Sequence, residues 1–448
     1  MDARKPALFV LAVAIALAPL FFGAMNPVAG AGLIVLCALA LVLSPIDRLD
    51  GRHWAILAAL AILALALCVV AALQVAAGPW VPSAERDRIV RLLGSGVSAS
   101  GALIGQYVQA MVPALAAIFA LAAGLVLGTG QRACRALIEV FLWVASVYAI
   151  FGIVQHLVAP GYVLWLPKEG HFEDLTATFT NRNTAAVFFG IACVWASLRV
   201  LRALKALGGG WEGEGKLAVE AVPSGDPRKR LFSDLVRLAL CFTALLMTHS
   251  RAGGVLSIGA CALAAGLFML FNDSRFSRSG RNIFVGVAGF AVLSVLIHGR
   301  LNLEGFGDGG RFEAYRSAWE MVWQRPMIGL GLGSFETYFP IFRSGDMSVW
   351  GTWDRAHNVL LQVAVEAGVP VAALSLVFSL AVLGLLLRAL VKRRKVSHVT
   401  IGSLAILALV LGHSLVDFSL QIPGLAVPVL ILVGAGISQS MRMSRSGR

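Results

Sequence analysis

Apolar residues in this chain form long runs, separated by short polar segments that carry glycine, proline and basic residues. Twelve such runs lie at 7–25, 27–45, 54–77, 108–128, 136–158, 184–203, 231–249, 253–272, 283–298, 358–389, 400–420 and 423–440. An α-helix rises ~1.5 Å per residue, so runs near twenty residues match the ~30 Å hydrocarbon core of a bilayer. Inside that core every backbone N–H and C=O must be bonded within its own segment, which makes each run a helix. The pattern predicts an all-α polytopic membrane protein of about 12 transmembrane helices, a single integral membrane domain over residues 1–448. The first run follows Arg4 and Lys5, and no small-residue cleavage site leads from it into a soluble domain. It reads as a span, not as a removable signal.

The longest polar interruption, residues 299–357, falls between spans nine and ten and predicts one large periplasmic loop containing short helices. Within it, Phe312, Tyr315, Trp319, Val322 and Trp323 recur at helical spacing, which predicts a helix from Arg311 to Arg325. Arg311, Tyr315 and Trp319 then share a face, Pro326 stops the helix, and Gly329, Gly331 and Gly333 form a turn. The glycine run follows a helix and has no βαβ context, so it is not a dinucleotide fingerprint. Two further outside segments are 78–107, with an amphipathic stretch from Ser83 to Leu93, and 159–183. Residues 204–227 are rich in Gly, Glu and Pro and read as a cytoplasmic linker.

Charge fixes an orientation. With the N-terminus in the cytoplasm, 24 of the 37 Lys and Arg residues fall in cytoplasmic segments and 12 outside. That bias follows the positive-inside rule, with both termini cytoplasmic in a bacterial inner membrane. The net charge of +13 is then mostly topological and calls for no nucleic-acid partner. The cations left outside are the informative ones. The six cysteines lie in spans or at a cytoplasmic edge, so no periplasmic disulfide framework is expected.

Several residues carry candidate chemistry. Ser250 and Arg251 occupy a tight hairpin between spans seven and eight, where Arg251 is either a snorkelling anchor or an anion clamp. His357 opens span ten beside Asn358, with Glu366 nine residues on. An imidazole, with an ordinary pKa of ~6.5, can take a proton from a hydroxyl at neutral pH. His413 and Asp417 are four residues apart near the outer end of span eleven; the carboxylate either tethers spans or orients His357. His171, Glu173 and Asp174 cluster, as do Glu85 and Asp87, yet neither makes a convincing metal-ligand set. Metal-free chemistry with no cofactor is expected. The chain has no G-x-S-x-G, Walker or H-E-x-x-H motif.

Taken in order, these pieces resemble the O-antigen ligase family, which includes Wzy-type polysaccharide polymerases. The resemblance rests on Phe179-Thr180-Asn181-Arg182-Asn183, Ser250-Arg251, Arg311 and Tyr315 with Pro326, Gly329, Gly331 and Phe335, His357-Asn358 with Gly368, and Asp417 through Pro423. Tyr315 stands where a tryptophan is common, Thr184 where histidine is frequent, and Pro370-Val371 replaces a second glycine. The resemblance implies an integral-membrane GT-C-like glycosyltransferase acting on a glycan carried by undecaprenyl diphosphate. It implies Arg251 and Arg311 as diphosphate ligands with Arg182 or Arg316 as a third, and His357 as the base on the acceptor hydroxyl. Asn183, Ser250, Asn358, Glu366 and Asp417 would support them. The acceptor is lipid A–core for a ligase or a lipid-linked glycan for a polymerase; a third branch glycosylates proteins. A non-catalytic polysaccharide or anion transporter is the alternative from another class, against which stands the lack of a two-fold repeat with paired broken helices.

Overall fold

The computed structural model describes residues 4–80, 100–207, 226–272, 309–345, 353–391 and 396–442. The expected ninth span, the Ser83–Leu93 stretch and parts of the 299–357 insert lie outside the described residues. Among the described residues seven helices are long and apolar enough to cross a membrane, and the molecule is an all-α polytopic membrane protein. The sole paired strands among them, Tyr162–Val163 (β1) and Leu166–Pro167 (β2), form a short antiparallel hairpin.

The helices are α1 (Lys5–Leu17), α2 (Pro27–Val42), α3 (Gly51–Ala77), α4 (Ser100–Leu127), α5 (Gln131–Val158), α6 (Arg182–Leu207) and α7 (Pro227–Met247). They continue with α8 (Arg251–Asn272), α9 (Gly309–Gln324), α10 (Phe335–Phe342), α11 (Val359–Ala367), α12 (Val369–Val391), α13 (His398–His413) and α14 (Pro423–Arg442). α6 and α14 are buried along most of their length and form the centre of the bundle. Trp195, Phe188 and Phe189 of α6 are fully buried there with Phe141 of α5. α4 and α14 approach so closely that a Cβ on Gly124 would lie 2.1 Å from the Ile431 carbonyl oxygen. Small residues permit that backbone contact where apolar burial gives helices no preference for one another over lipid.

Three expected spans are corrected. The first, 7–25, ends as a helix at Leu17, and Phe21, Phe22, Gly23 and Ala24 turn left-handed. Hydropathy sees only apolar residues there, but Pro19 and packing against the 159–183 segment shape the turn. The Thr178 hydroxyl donates to the Pro19 carbonyl at 2.6 Å. The tenth, 358–389, is broken at Gly368 (φ +86°) into α11 and α12. The backbone of Pro326–Gly329 crosses at the break: Val369 N donates to Pro326 O at 2.8 Å, and a Cβ on Gly368 would lie 2.6 Å from Met327 O. The eleventh, 400–420, ends at His413, and the chain turns through Asp417 and the 3-10 segment Ser419–Gln421 into α14. α7, the expected seventh span, carries Asp234 and Arg237 within its apolar stretch and is not among the seven.

The insert has a small core of its own, with Ala314, Ala318, Met321 and Val322 of α9 against Phe335, Phe339 and Val365. α9 matches the expected helix, but its aromatic residues do not make the buried face: Phe312, Trp319 and Trp323 are exposed. The small side chains of Ala314 and Ala318 allow close packing on α11, and bulky rings at those positions would prevent it. The glycine run has a structural use. Gly329 (φ +74°) leaves no room for a Cβ, which would sit 2.3 Å from Glu366 O. Gln74 of α3 holds the run in place, donating to Ile328 O and Glu366 O and accepting from Leu332 N at 3.0 Å.

Candidate functional site

One end of the bundle brings together three turns that are far apart in sequence. Asn181 ends the 159–183 segment, and its side chain accepts from the backbone N–H of Asn183 at 2.7 Å, fixing the start of α6. Asn183 then bridges the other two turns. Its Nδ2 donates to Asp417 Oδ2 at 2.6 Å, and its Oδ1 accepts from the Ser250 hydroxyl at 2.7 Å. Thr184 adds a second link, its hydroxyl 3.2 Å from that of Ser419. Ser250 also accepts from Gly253 N at 3.3 Å, which caps α8 and places Arg251 as the first residue of that helix.

Asp417 lies beyond the end of α13 with its side chain 1% exposed, a costly place for a carboxylate unless it is satisfied. Its Oδ1 accepts from Phe418 N at 2.8 Å and from the Ser419 hydroxyl at 3.1 Å, while Oδ2 takes Asn183. His357 faces it, Nδ1 3.6 Å from Oδ2. Burial pushes the Asp417 carboxyl up, but the imidazoles of His357 and His413 and the Asn183 amide outweigh that and hold it at about 2. The carboxylate is therefore ionised throughout the neutral range.

His357 is held by more than its carboxylate. Its backbone is left-handed (φ +51°), unusual for a residue with a Cβ and a feature that clusters at functional sites. Its ring stands edge-on between Trp353 and Phe418, with centroids 5.4 and 5.1 Å away. The Tyr315 hydroxyl donates to its carbonyl at 3.1 Å, tying α9 to this hinge. Nδ1 is buried with no hydrogen bond closer than the Asp417 approach, and the side chain as a whole is 22% exposed. In the tautomer that carries its proton on Nδ1, toward Asp417, Nε2 is the basic nitrogen.

The predicted arginines separate. Arg311 Nη1 donates to the carbonyl of Val416, the residue before Asp417, at 3.1 Å. Arg182, adjacent to Asn183, pairs with Asp174 at 2.9 Å, and the other Asp174 oxygen lies 3.0 Å from His249 Nδ1. His249 immediately precedes Ser250 and also has a left-handed backbone, φ +49°. Asp174 thus joins the start of α6 to the α7–α8 turn, parallel to the Asn183–Ser250 link. His171 completes this group, 3.4 Å from Asp174, with burial and the Arg182 charge lowering its pKa. Arg316 is exposed and makes none of the contacts on the Arg311–Tyr315 face of α9.

Two of the supporting residues have other duties. Asn358 caps α11, accepting from Leu361 N at 3.0 Å and donating to Leu415 O at 3.1 Å. Glu366 accepts from Gly333 N at 3.1 Å and Gln362 Nε2 at 3.2 Å, so it anchors the glycine turn and does not reach His357. His413, four residues before Asp417, is buried with neither ring nitrogen hydrogen-bonded. Sequence reasoning missed Asp174 and His249 as a linking pair. Asp174 had been weighed only as a metal ligand, and nothing in their spacing marks two residues so distant as partners. Among the described residues no group of three or more His, Cys, Asp or Glu side chains is arranged to hold a metal.

Residues 236–376 match the family described as O-antigen ligase. That stretch runs from α7 to α12 and contains Ser250, Arg251, Arg311, His357 and Glu366; Arg182, Asn183 and Asp417 lie outside it. No curated protein matches the chain. The match bears out the family resemblance read from the motifs, and the contacts above tie Asn183 and Asp417 from unmatched segments to matched Ser250 and His357.

Proposed function

With the O-antigen ligase match as premise, we propose that this protein moves a glycan from undecaprenyl diphosphate to an acceptor hydroxyl at the periplasmic face of the bacterial inner membrane. The observation that carries this reading is the chain of contacts from Ser250 through Asn183 and Asp417 to His357, with Arg311 bonded one residue away. It gathers a base, its orienting carboxylate and guanidinium groups at one end of the bundle.

In this reading Asp417 keeps the His357 proton on Nδ1, and Nε2 accepts the proton of the acceptor hydroxyl. The freed oxygen attacks the anomeric carbon from the face opposite the diphosphate. The C–O bond to the diphosphate breaks as the new one forms, and the leaving group takes the electron pair. In-line displacement inverts the anomeric centre. Catalytic hydrogen bonds are often long before substrate binds, which suits the 3.6 Å separation of His357 and Asp417.

Arg251 and Arg311 bind the diphosphate, with Arg182 as third contributor. Guanidinium forks match phosphate oxygens and stabilise the charge that develops on the leaving group, so the reaction needs no metal. Arg316, exposed on another face of α9, is dropped from the clamp. The acceptor is lipid A–core or a lipid-linked glycan. Deleting the protein separates these: full-length chains left on the lipid mark a ligase, unpolymerised single repeats a polymerase.

The test is transfer of a labelled glycan by purified protein from a defined lipid-linked donor. We expect product of inverted anomeric configuration, full activity in EDTA, and loss of transfer in His357→Ala with donor binding retained. Retained configuration, or near-normal activity of that variant, removes His357 as the base. Activity lost in EDTA and restored by Mg²⁺ overturns the metal-independent reading.

A further inference from the structure

α9 turns its large apolar side chains outward. Phe312, Trp319 and Trp323 are 66%, 54% and 59% exposed, while Ala314, Ala318, Met321 and Val322 are buried in the core of the insert. At 3.6 residues per turn the three rings fall within an arc of about 40°, in a stripe about 17 Å long. Exposed Arg316, Glu320 and Gln324 follow one edge of that stripe, and Tyr315 lies along the other. Met327, also exposed, extends it past Pro326. A helix apolar on opposite sides needs apolar surroundings on both. The core of the insert supplies one of them. The stripe faces the other.

The position of α9 identifies that second neighbour. Near its start, Arg311 donates to Val416 O at 3.1 Å and the Tyr315 hydroxyl to Leu415 O at 3.5 Å, in the turn after α13. After its end, Arg325 Nη1 donates at 3.1 Å to the carbonyl of Gly78, the residue that caps α3. α3 is one of the seven span-length helices, and α13 is apolar over its 16 residues. Each tie therefore goes to a carbonyl where an apolar helix has just stopped. A helix pinned at both ends in this way lies across the end of the bundle, at the depth where hydrocarbon gives way to headgroups. The side of α3 that carries Ile62, Leu65, Val69 and Leu73 is exposed, as a lipid-facing side is, and stops at that same level.

We propose that the Phe312–Trp319–Trp323 stripe of α9 is embedded in the lipid surface, with its rings at the boundary between headgroups and acyl chains. Tryptophan favours that boundary because its ring is apolar while its N–H still reaches water. Arg316, on the polar edge, lays its stem along the acyl chains and puts its guanidinium among lipid phosphates. This is the arrangement of an amphipathic helix lying in the plane of a membrane. The anchor holds more than α9. Tyr315 donates to the His357 carbonyl, so the embedded helix fixes how far the histidine hinge stands from the lipid.

The experiment uses the full chain reconstituted into vesicles of phosphatidylcholine and phosphatidylglycerol whose acyl chains carry bromine, a contact quencher of indole fluorescence. The chain has ten tryptophans, so the stripe is read as the emission lost between the unaltered protein and the variant Trp319→Phe with Trp323→Phe. Both positions are exposed and phenylalanine keeps them apolar, so the melting midpoint should not change; Trp323→Phe alone is the second variant should the pair fail to fold. We expect bromine near the headgroup to remove most of this difference emission, and bromine at the chain end to remove less. Greater loss to bromine at the chain end puts the rings in the hydrocarbon interior and overturns the proposed depth. No loss to bromine at either position overturns the proposal outright. Quenching by aqueous iodide then assigns the stripe to water, and protection from iodide assigns it to a second copy of the chain. Glycan transfer is not the readout, so the result stands apart from the proposed function.

Discussion

The two ends of the helix bundle each bury an aspartate, and they satisfy it differently. At one end Asp417 is held by an amide, a hydroxyl, a backbone N–H and an imidazole. At the other, Glu139 and Asp234 are held by the guanidinium groups of Arg199 and Arg237. A guanidinium never gives up its proton under ordinary conditions, so the second arrangement locks helices together and does no acid–base chemistry. An imidazole exchanges its proton near neutral pH, so the first can serve a reaction. What neutralises a buried charge thus separates a tether from a site, even between two aspartates as similarly buried as Asp417 and Asp234.

The sharpest way to break this contrast is to remove the imidazole. His357→Ala should lower transfer by about 10²–10⁴-fold, the usual worth of a positioned base, with little change in melting temperature. A residual activity within a few-fold of the unaltered protein would make the two ends equivalent. Asp234→Ala is the counterpart at the tether. It leaves Arg199 and Arg237 with Glu139 alone and should cost about 1–3 kcal/mol of stability, read by thermal melting. Transfer per folded molecule should hold, and its collapse without destabilisation would show the tether to be coupled to the chemistry.

Asp417→Asn comes next. It removes the charge facing His357 while keeping most of the side-chain volume, and transfer should drop about tenfold to a hundredfold. The same variant tests linkage. The folded Asp417 carboxyl sits at about 2, below the ordinary value near 3.8. Its stabilisation is therefore full above pH ~4 and lost as pH falls toward 2, worth on the order of 2 kcal/mol. Melting curves from pH 5 down to 2.5 should show that acid-side loss flattened in the variant. Smallest in effect is a pair on one helix. Arg311→Ala should weaken donor binding about tenfold, whereas exposed Arg316→Ala should change it less than about twofold. Equal effects would return Arg316 to the clamp.

Much of the fold is legible from hydropathy because burial in lipid demands apolar length, and length is a local property. The helix from Gly309 to Gln324 was foreseen within two residues at its start and one at its end. What failed were three span ends. Helical spacing located that helix without saying which face is buried: Ala314 and Ala318 pack closely on α11, while Phe312, Trp319 and Trp323 are exposed. The breaks after Leu17, at Gly368 and after His413 arise where another segment crosses the helix end, which apolar composition does not record. In the candidate site, Arg251 and Asp417 stand out because charged residues at membrane depth are expensive, His357 as an imidazole where a span meets the insert, and Asn183 through the family resemblance. Asp174 with His249, and Gln74 behind the glycine turn, did not stand out, since each matters only through a distant partner.

By itself, the sequence determined an all-α membrane protein, its O-antigen ligase resemblance and a short set of polar residues too costly to be incidental. Tertiary structure alone decided which of those residues meet. Asn183, Ser250, His357 and Asp417 come from four separate segments, and their contacts are set by how the helices pack. Periodicity reports what a residue does within its own helix. Whether a buried charge ends beside an imidazole or a guanidinium depends on which helices become neighbours.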